Sequence, residues 1–203
     1  MGRAPLAAHQ KKVRDRHATL AFSDESGFLL MPLVRSTLAR CGHTPVLRHR
    51  ARHRDKVSVA AALTLSPARG HIGLYYQTFP DAHVDAGLYT FFMRRVLRQV
   101  RGPVVLVHDG GSMHKGPLLR TLAEDFPRLD LDPLPPYAPE LNPVEPLWGH
   151  AKNEELSNFV PLDVPHLDAA VCECLDAVRS DQRRLRSFFA AAELPWDGLT
   201  LFT

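Results

Sequence analysis

Between Gly102 and Gly111 the chain reads GPVVLVHDGG, and no other segment constrains the fold as tightly. Its four apolar residues in succession are typical of a strand buried on both faces. Such a strand requires a sheet with helices packed on either side of it.

The flanking segments supply the rest of the sheet. ATLAFSDESGFLLMP gives two short apolar runs about Asp24, Glu25, Ser26 and Gly27, the pattern of two strands joined by a tight polar turn. KVSVAAALTLS (Lys56 to Ser66), HIGLYYQTF and LDLDPL read as further strands. Helical spacing of Val84, Leu88, Phe91, Phe92 and Val96 predicts a helix within Ala82 to Arg101, and HKGPLLRTLAEDF and PLWGHAKNEELSNF predict two more. Pro165 to Ala191 carries one apolar stripe, as a single long amphipathic helix or a pair. A strand cluster followed by alternating helices and strands predicts a mixed α/β sheet with helices on its faces. At 203 residues and 45% hydrophobic content this is one domain, residues 18–203, after a basic arm or linker stub, residues 1–17.

Charge is unevenly spread. Met1 to Ala60 holds twelve Lys/Arg against four Asp/Glu, and the remainder thirteen against eighteen. A basic first third beside an acidic remainder points to a polyanion held on one surface while carboxylates work elsewhere. Cys41, Cys172 and Cys174 form no paired framework, no apolar stretch nears the length of a membrane span, and the first residues lack a signal-peptide core. These features predict a reduced, cytoplasmic protein with no membrane partner.

Three acids are candidates for chemistry: Asp24 after TLAF, Asp109 after VVLVH, and Glu145 at a helix start. In open α/β sheets, sites gather at the carboxyl ends of strands. Three convergent carboxylates suit a hard divalent cation and phosphoryl transfer. Asp24 and Glu25 also fit plain turn positions. Glu145 has two local readings. Asn142, Pro143 and Glu145 form a capping-box pattern, whereas Pro146 disfavours helical geometry at Glu145 and would make it the cap itself.

FSDESGF, VVLVHDGGSMHKG and LPPYAPELNPVEPLW, in that order and spacing, resemble the catalytic domain of DDE transposases of the Tc/mariner and related bacterial insertion-sequence type. Thirty-five residues separate Asp109 from Glu145, an interval suited to that superfamily, and the likeness runs from about Ala18 to Phe159. The resemblance implies a ribonuclease H-like fold, with Asp24 on the first strand, Asp109 after the fourth, and Glu145 on a helix behind them. It implies that these three residues are catalytic and jointly bind two Mg²⁺ or Mn²⁺ ions. The implied reactions are DNA strand cleavage at transposon ends and strand transfer into target DNA, by a homodimer on DNA in the bacterial cytoplasm and nucleoid. Gly110 stands where the family often has asparagine. Full-length relatives carry helix-turn-helix domains for which this chain has no room, so it resembles the catalytic half. Its DNA-binding partner is then an upstream frame, joined or separate, or is lost. The rival readings are a non-catalytic or decayed fragment that binds DNA or another chain, and a structure-directed ribonuclease H-like nuclease.

For DNA contact the candidates are Arg48, Arg50, Arg52, Arg54 and Lys56 in RHRARHRDK, with His114 and Lys115 just past Asp109. Backbone charge dominates nucleic-acid affinity. Cys41, His43, His49 and His53 match no common tetrahedral zinc spacing, and the resemblance puts them in a strand hairpin instead. Trp148 reads as a packing residue.

Overall fold

The VVLV run is the strand at which the sheet changes from antiparallel to parallel. In the computed structural model, which describes residues 17–48, 55–66, 70–109, 116–192 and 194, β1 (Thr19–Leu29), β2 (Lys56–Leu65) and β3 (Ile72–Pro80) form an antiparallel meander. Then come α1 (Ala86–Gln99), β4 (Val104–His108), α2 (Pro117–Asp125) and β5 (Leu129–Pro133). A 3-10 turn at Pro139–Leu141 leads into α3 (Val144–His150), which widens into a π-turn over Ala151–Glu155 before α4 (Val164–Ser180) and α5 (Gln182–Ala191). The strand order is β3-β2-β1-β4-β5, with β4 parallel to both β1 and β5. Helices thus flank a five-stranded mixed α/β sheet, as the sequence predicts.

Every residue of β4 is buried. Val105 and Val107 join Leu20 and Phe22 of β1 in the core beneath α3, α4 and α5, whereas Val104 and Leu106 face the core under α1 and α2. Period-two alternation accounts for the division, and the double coverage explains why this strand carries no polar side of its own. On the first face, Phe189 of α5 is fully buried and meets Phe22 edge-on at 5.8 Å, so the C-terminal helix is part of the core.

The outer edge of β3 is closed by side chains. The Gln182 amide accepts from the Ile72 N–H (3.2 Å) and donates to the Ile72 carbonyl (2.7 Å), as a neighbouring strand would, and Arg179 Nε donates to the Leu74 carbonyl (3.2 Å). These contacts cover the first three residues of the edge, where they take the place of a pairing strand.

Two expectations are corrected. Residues Asp24 to Gly27 form no turn: β1 runs unbroken through them, because β2 is long enough to pair with every residue from Leu20 to Leu29. Turn-forming composition yields to a ten-residue partner. Nor do residues 30–48 contain a strand hairpin; Cys41, His43 and Arg48 are exposed, Leu38 is fully so, and His49 and His53 lie outside the described residues. The C-terminal stripe is a pair of helices broken at Asp181, whose side chain caps α5 by accepting from the Arg184 N–H (3.0 Å). Among the described residues no helix is long and apolar enough to cross a membrane.

Truncation of Phe189 tests the role of α5. We expect Phe189→Ala to lower the unfolding free energy by about 3–5 kcal/mol, the scale for emptying a buried aromatic site, read from urea denaturation.

Candidate active site

The pairing of β1 with β4 ends at Ser23 opposite His108. The next residue on each is an acid, Asp24 and Asp109. Two residues earlier, Phe22 and Val107 share the face beneath α3, so strand alternation brings the two carboxylates to that face together. Asp24 lies within β1 and not at its end; the element that ends here is β4. β1 continues past its partner.

Glu145 arrives on α3. The Leu134 N–H bonds the His108 carbonyl at 2.7 Å, so the proline-rich segment starts beside the end of β4. Buried Asn142 then fixes the helix start: its side-chain oxygen accepts from the Val144 N–H (3.1 Å) and its carbonyl from the Glu145 N–H (3.1 Å). Pro143 occupies the cap position, and Glu145 is the second helical residue. Pro146 therefore lies within the first turn, where a missing N–H removes no intrahelical bond. Of the two local readings, Glu145 inside the first turn is the one the structure adopts.

Asp24, Asp109 and Glu145 line a single cleft of about 450 Å³, with Asn142 at its base and Leu134 to Pro139 along its side. Tyr137 stands fully exposed on that side, its backbone in the left-handed region at φ 58°. Asp24 is pushed up to about 7 by burial, then by the charges of Glu145 and Glu25, against a hydrogen bond from Trp148. Burial also raises Glu145; Lys152 opposes this and Asp109 adds to it. Burial lowers Lys152, against the pull of Glu145 and Asp24.

The cleft lining holds carboxylates with no thiol or imidazole, a donor set suited to a hard, oxygen-seeking divalent cation. Positive charge there would offset the carboxylate repulsion that, after burial, raises Asp24. Among the described residues, however, no three His, Cys, Asp or Glu side chains stand close enough together to hold a metal ion. The acids share a cleft without forming a closed coordination sphere.

Sequence reasoning missed two side chains. Trp148 is buried against Phe28, as a packing residue is, but its Nε1–H also donates to Asp24 Oδ2 at 3.0 Å. Lys152 Nζ donates to Ser26 Oγ at 2.7 Å and lies 5.3 Å from the Phe28 ring centre. Both follow Glu145 at helical spacings of three and seven, a signal present in PVEPLWGHAK.

The DNA-contact candidates are only partly placed. Arg48 is exposed, and Lys56 opens β2 opposite Leu29 with its Nζ 3.4 Å from His83 Nδ1. Because β2 runs antiparallel to β1, its basic entry lies toward the end of the sheet at which β4 stops, ~17 Å along the strand from the level of Asp24. Arg50, Arg52, Arg54, His114 and Lys115 lie outside the described residues.

The family profile of the DDE superfamily endonucleases matches residues 19–163. Among solved structures, the chain is similar to the Mos1 mariner paired-end complex with Mn (TM-score 0.67, 17% identity, covering 95% of this chain and 57% of that one). It is also similar to the Mos1 strand transfer complex (0.62, 16%, covering 95% and 56%) and the catalytic domain of Mos1 mariner transposase (0.57, 15%, covering 92% and 80%). These likenesses establish the ribonuclease H-like fold. The chain spans little more than half the length of the transposase chains in the two DNA complexes. No curated protein matches it.

The elevated Asp24 sets a pH dependence. Its folded value, about 7, lies above the ordinary 3.8, so between about pH 4 and 7 the folded chain holds a proton that the unfolded chain has released. Stability from this group is full below that window and is lost as pH rises through it. In EDTA, Asp24→Asn is therefore expected to unfold at a higher temperature than the parent at pH 8, with the difference shrinking towards pH 5, in thermal scans at both values.

Proposed function

This chain belongs to the DDE superfamily endonucleases, and we propose that it is a transposase catalytic domain of the Tc/mariner type that cuts DNA at element ends and joins them to target DNA. The observation that carries this reading is the convergence of Asp24, Asp109 and Glu145, from β1, the end of β4 and α3, on one cleft. Asp24, Asp109 and Glu145 are the residues we assign to hold divalent metal, two Mg²⁺ or Mn²⁺ ions. Bound there, the ions would activate the attacking water or DNA 3′-hydroxyl and stabilise the departing oxygen.

The chain's own contribution is placement. β1 and β4 hold two carboxylates on one face, and the Asn142 cap aims the third from the opposite side. Lys152 supports Glu145 in its charged form. The basic run from Arg48 to Lys56, entering β2 on the same side, is assigned to the DNA backbone, together with His114 and Lys115. Recognition of the ends is assigned to a helix-turn-helix partner, and synapsis to a homodimer on DNA.

Cleavage of end-containing DNA in Mg²⁺ or Mn²⁺, with and without the product of any upstream frame, tests the reading. Asp109→Asn and Glu145→Gln are expected to lower nicking at least ~100-fold, the scale for losing a group that acts directly on the transition state, with circular dichroism unchanged. Undiminished cleavage in these variants would remove the triad from the mechanism. No cleavage by the parent under any of these conditions favours the non-catalytic reading.

A further inference from the structure

The Asp24 carboxylate is held by a side chain of the helix that also carries Glu145. The Trp148 Nε1–H donates to Asp24 Oδ2 at 3.0 Å, and the indole is itself fixed, buried and edge-on to Phe28 at 6.1 Å and 74°. Phe28 lies on the same strand as Asp24, four residues on and on the same face. The indole therefore makes two contacts with β1, and one of them is to a carboxylate oxygen.

We infer that Trp148 is a positioning residue for divalent metal, setting the plane of the Asp24 carboxylate and the approach of the Glu145 helix to it. This rests on the proposed metal-binding role of the three acids. The backbone of Asp24 is fixed by pairing with Ala61, but that pairing does not set the rotation of its carboxyl group. The Trp148 N–H on Oδ2 sets it, beside a backbone N–H from Glu25, and the two donors do not use up the roughly four lone-pair positions of a carboxylate. The indole N–H is neutral and cannot accept, so it orients the carboxylate without supplying the positive charge that the metal would bring. An Arg or Lys at this position would compete with the ion. Because Trp148 and Glu145 lie three residues apart on α3, the hydrogen bond that orients one acid also fixes the distance to the other. Groups that orient metal-binding side chains in this way typically contribute 10- to 100-fold in affinity.

The test uses the full chain and Mn²⁺ alone. Free Mn²⁺ is followed by electron paramagnetic resonance during titration of the parent, Trp148→Phe and Asp24→Asn, with metal-free melting temperatures recorded for each. Phe keeps the ring against Phe28 and removes the N–H. About 10-fold or greater weakening of Mn²⁺ binding, in a variant that melts cooperatively, is the expected result; unchanged affinity overturns the inference and leaves the metal-binding reading intact. Should the parent bind no Mn²⁺, the metal-binding reading falls, and this inference with it. A second measurement covers the case in which Trp148→Phe fails to fold. Trp148 and Trp196 are the two tryptophans, so in Trp196→Phe all indole emission comes from Trp148. Mn²⁺ is expected to quench that emission saturably, with the midpoint of the resonance titration, and Asp24→Asn to abolish the quenching. Mn²⁺ binding with unaltered emission overturns the inference.

Discussion

The parallel pairing of β4 with β1, and its termination at Ser23 and His108, is the constraint on which the site depends. β4 is only five residues long and has no polar face, so it remains in the sheet only where helices cover both sides. Where it stops, β1 continues with β2 as its one strand neighbour, and Asp24 and Asp109 emerge on the face that Phe22 and Val107 fill one layer below. The core thus ends, and the cleft begins, within a single pair of residues.

The proline-rich segment between β5 and α3 follows from that boundary. It starts with a backbone bond to His108, borders the cleft, and ends at a helix whose first turn is fixed by Asn142 in place of a side chain at the formal cap. Restricted φ angles along Pro135, Pro136, Pro139 and Pro143 lower the entropy lost on ordering the loop. The rigid segment positions Glu145 against acids that repel it. Burial first, and then the neighbouring carboxylates, raise Asp24 and Glu145, and Lys152 opposes the rise at Glu145.

The fold was largely legible, because long-range burial leaves a local trace. Uniform hydrophobicity in VVLV signals two covered faces, and the C-terminal stripe signals two helices lying against a core. What misled was the composition of SDESG. Asp, Ser and Gly favour turns locally, but ten consecutive pairings with β2 outweigh that preference, and a neighbouring strand is invisible to a local window. The same limit hid Trp148 and Lys152. Their spacing from Glu145 was readable, yet their contacts are to Asp24 and Ser26, more than a hundred residues away in the chain.

By itself the sequence determined which residues are acids, which runs are buried, and the motif order by which the family is recognised. Each of these is a property of a residue and its near neighbours. Only the tertiary structure decided that β1 runs unbroken through Asp24 to Leu29, that Glu145 lies within the first helical turn despite Pro146, and that an indole N–H holds the Asp24 carboxylate. Those outcomes depend on strand register and on how closely a helix approaches a sheet, and both are set by packing between segments far apart in sequence.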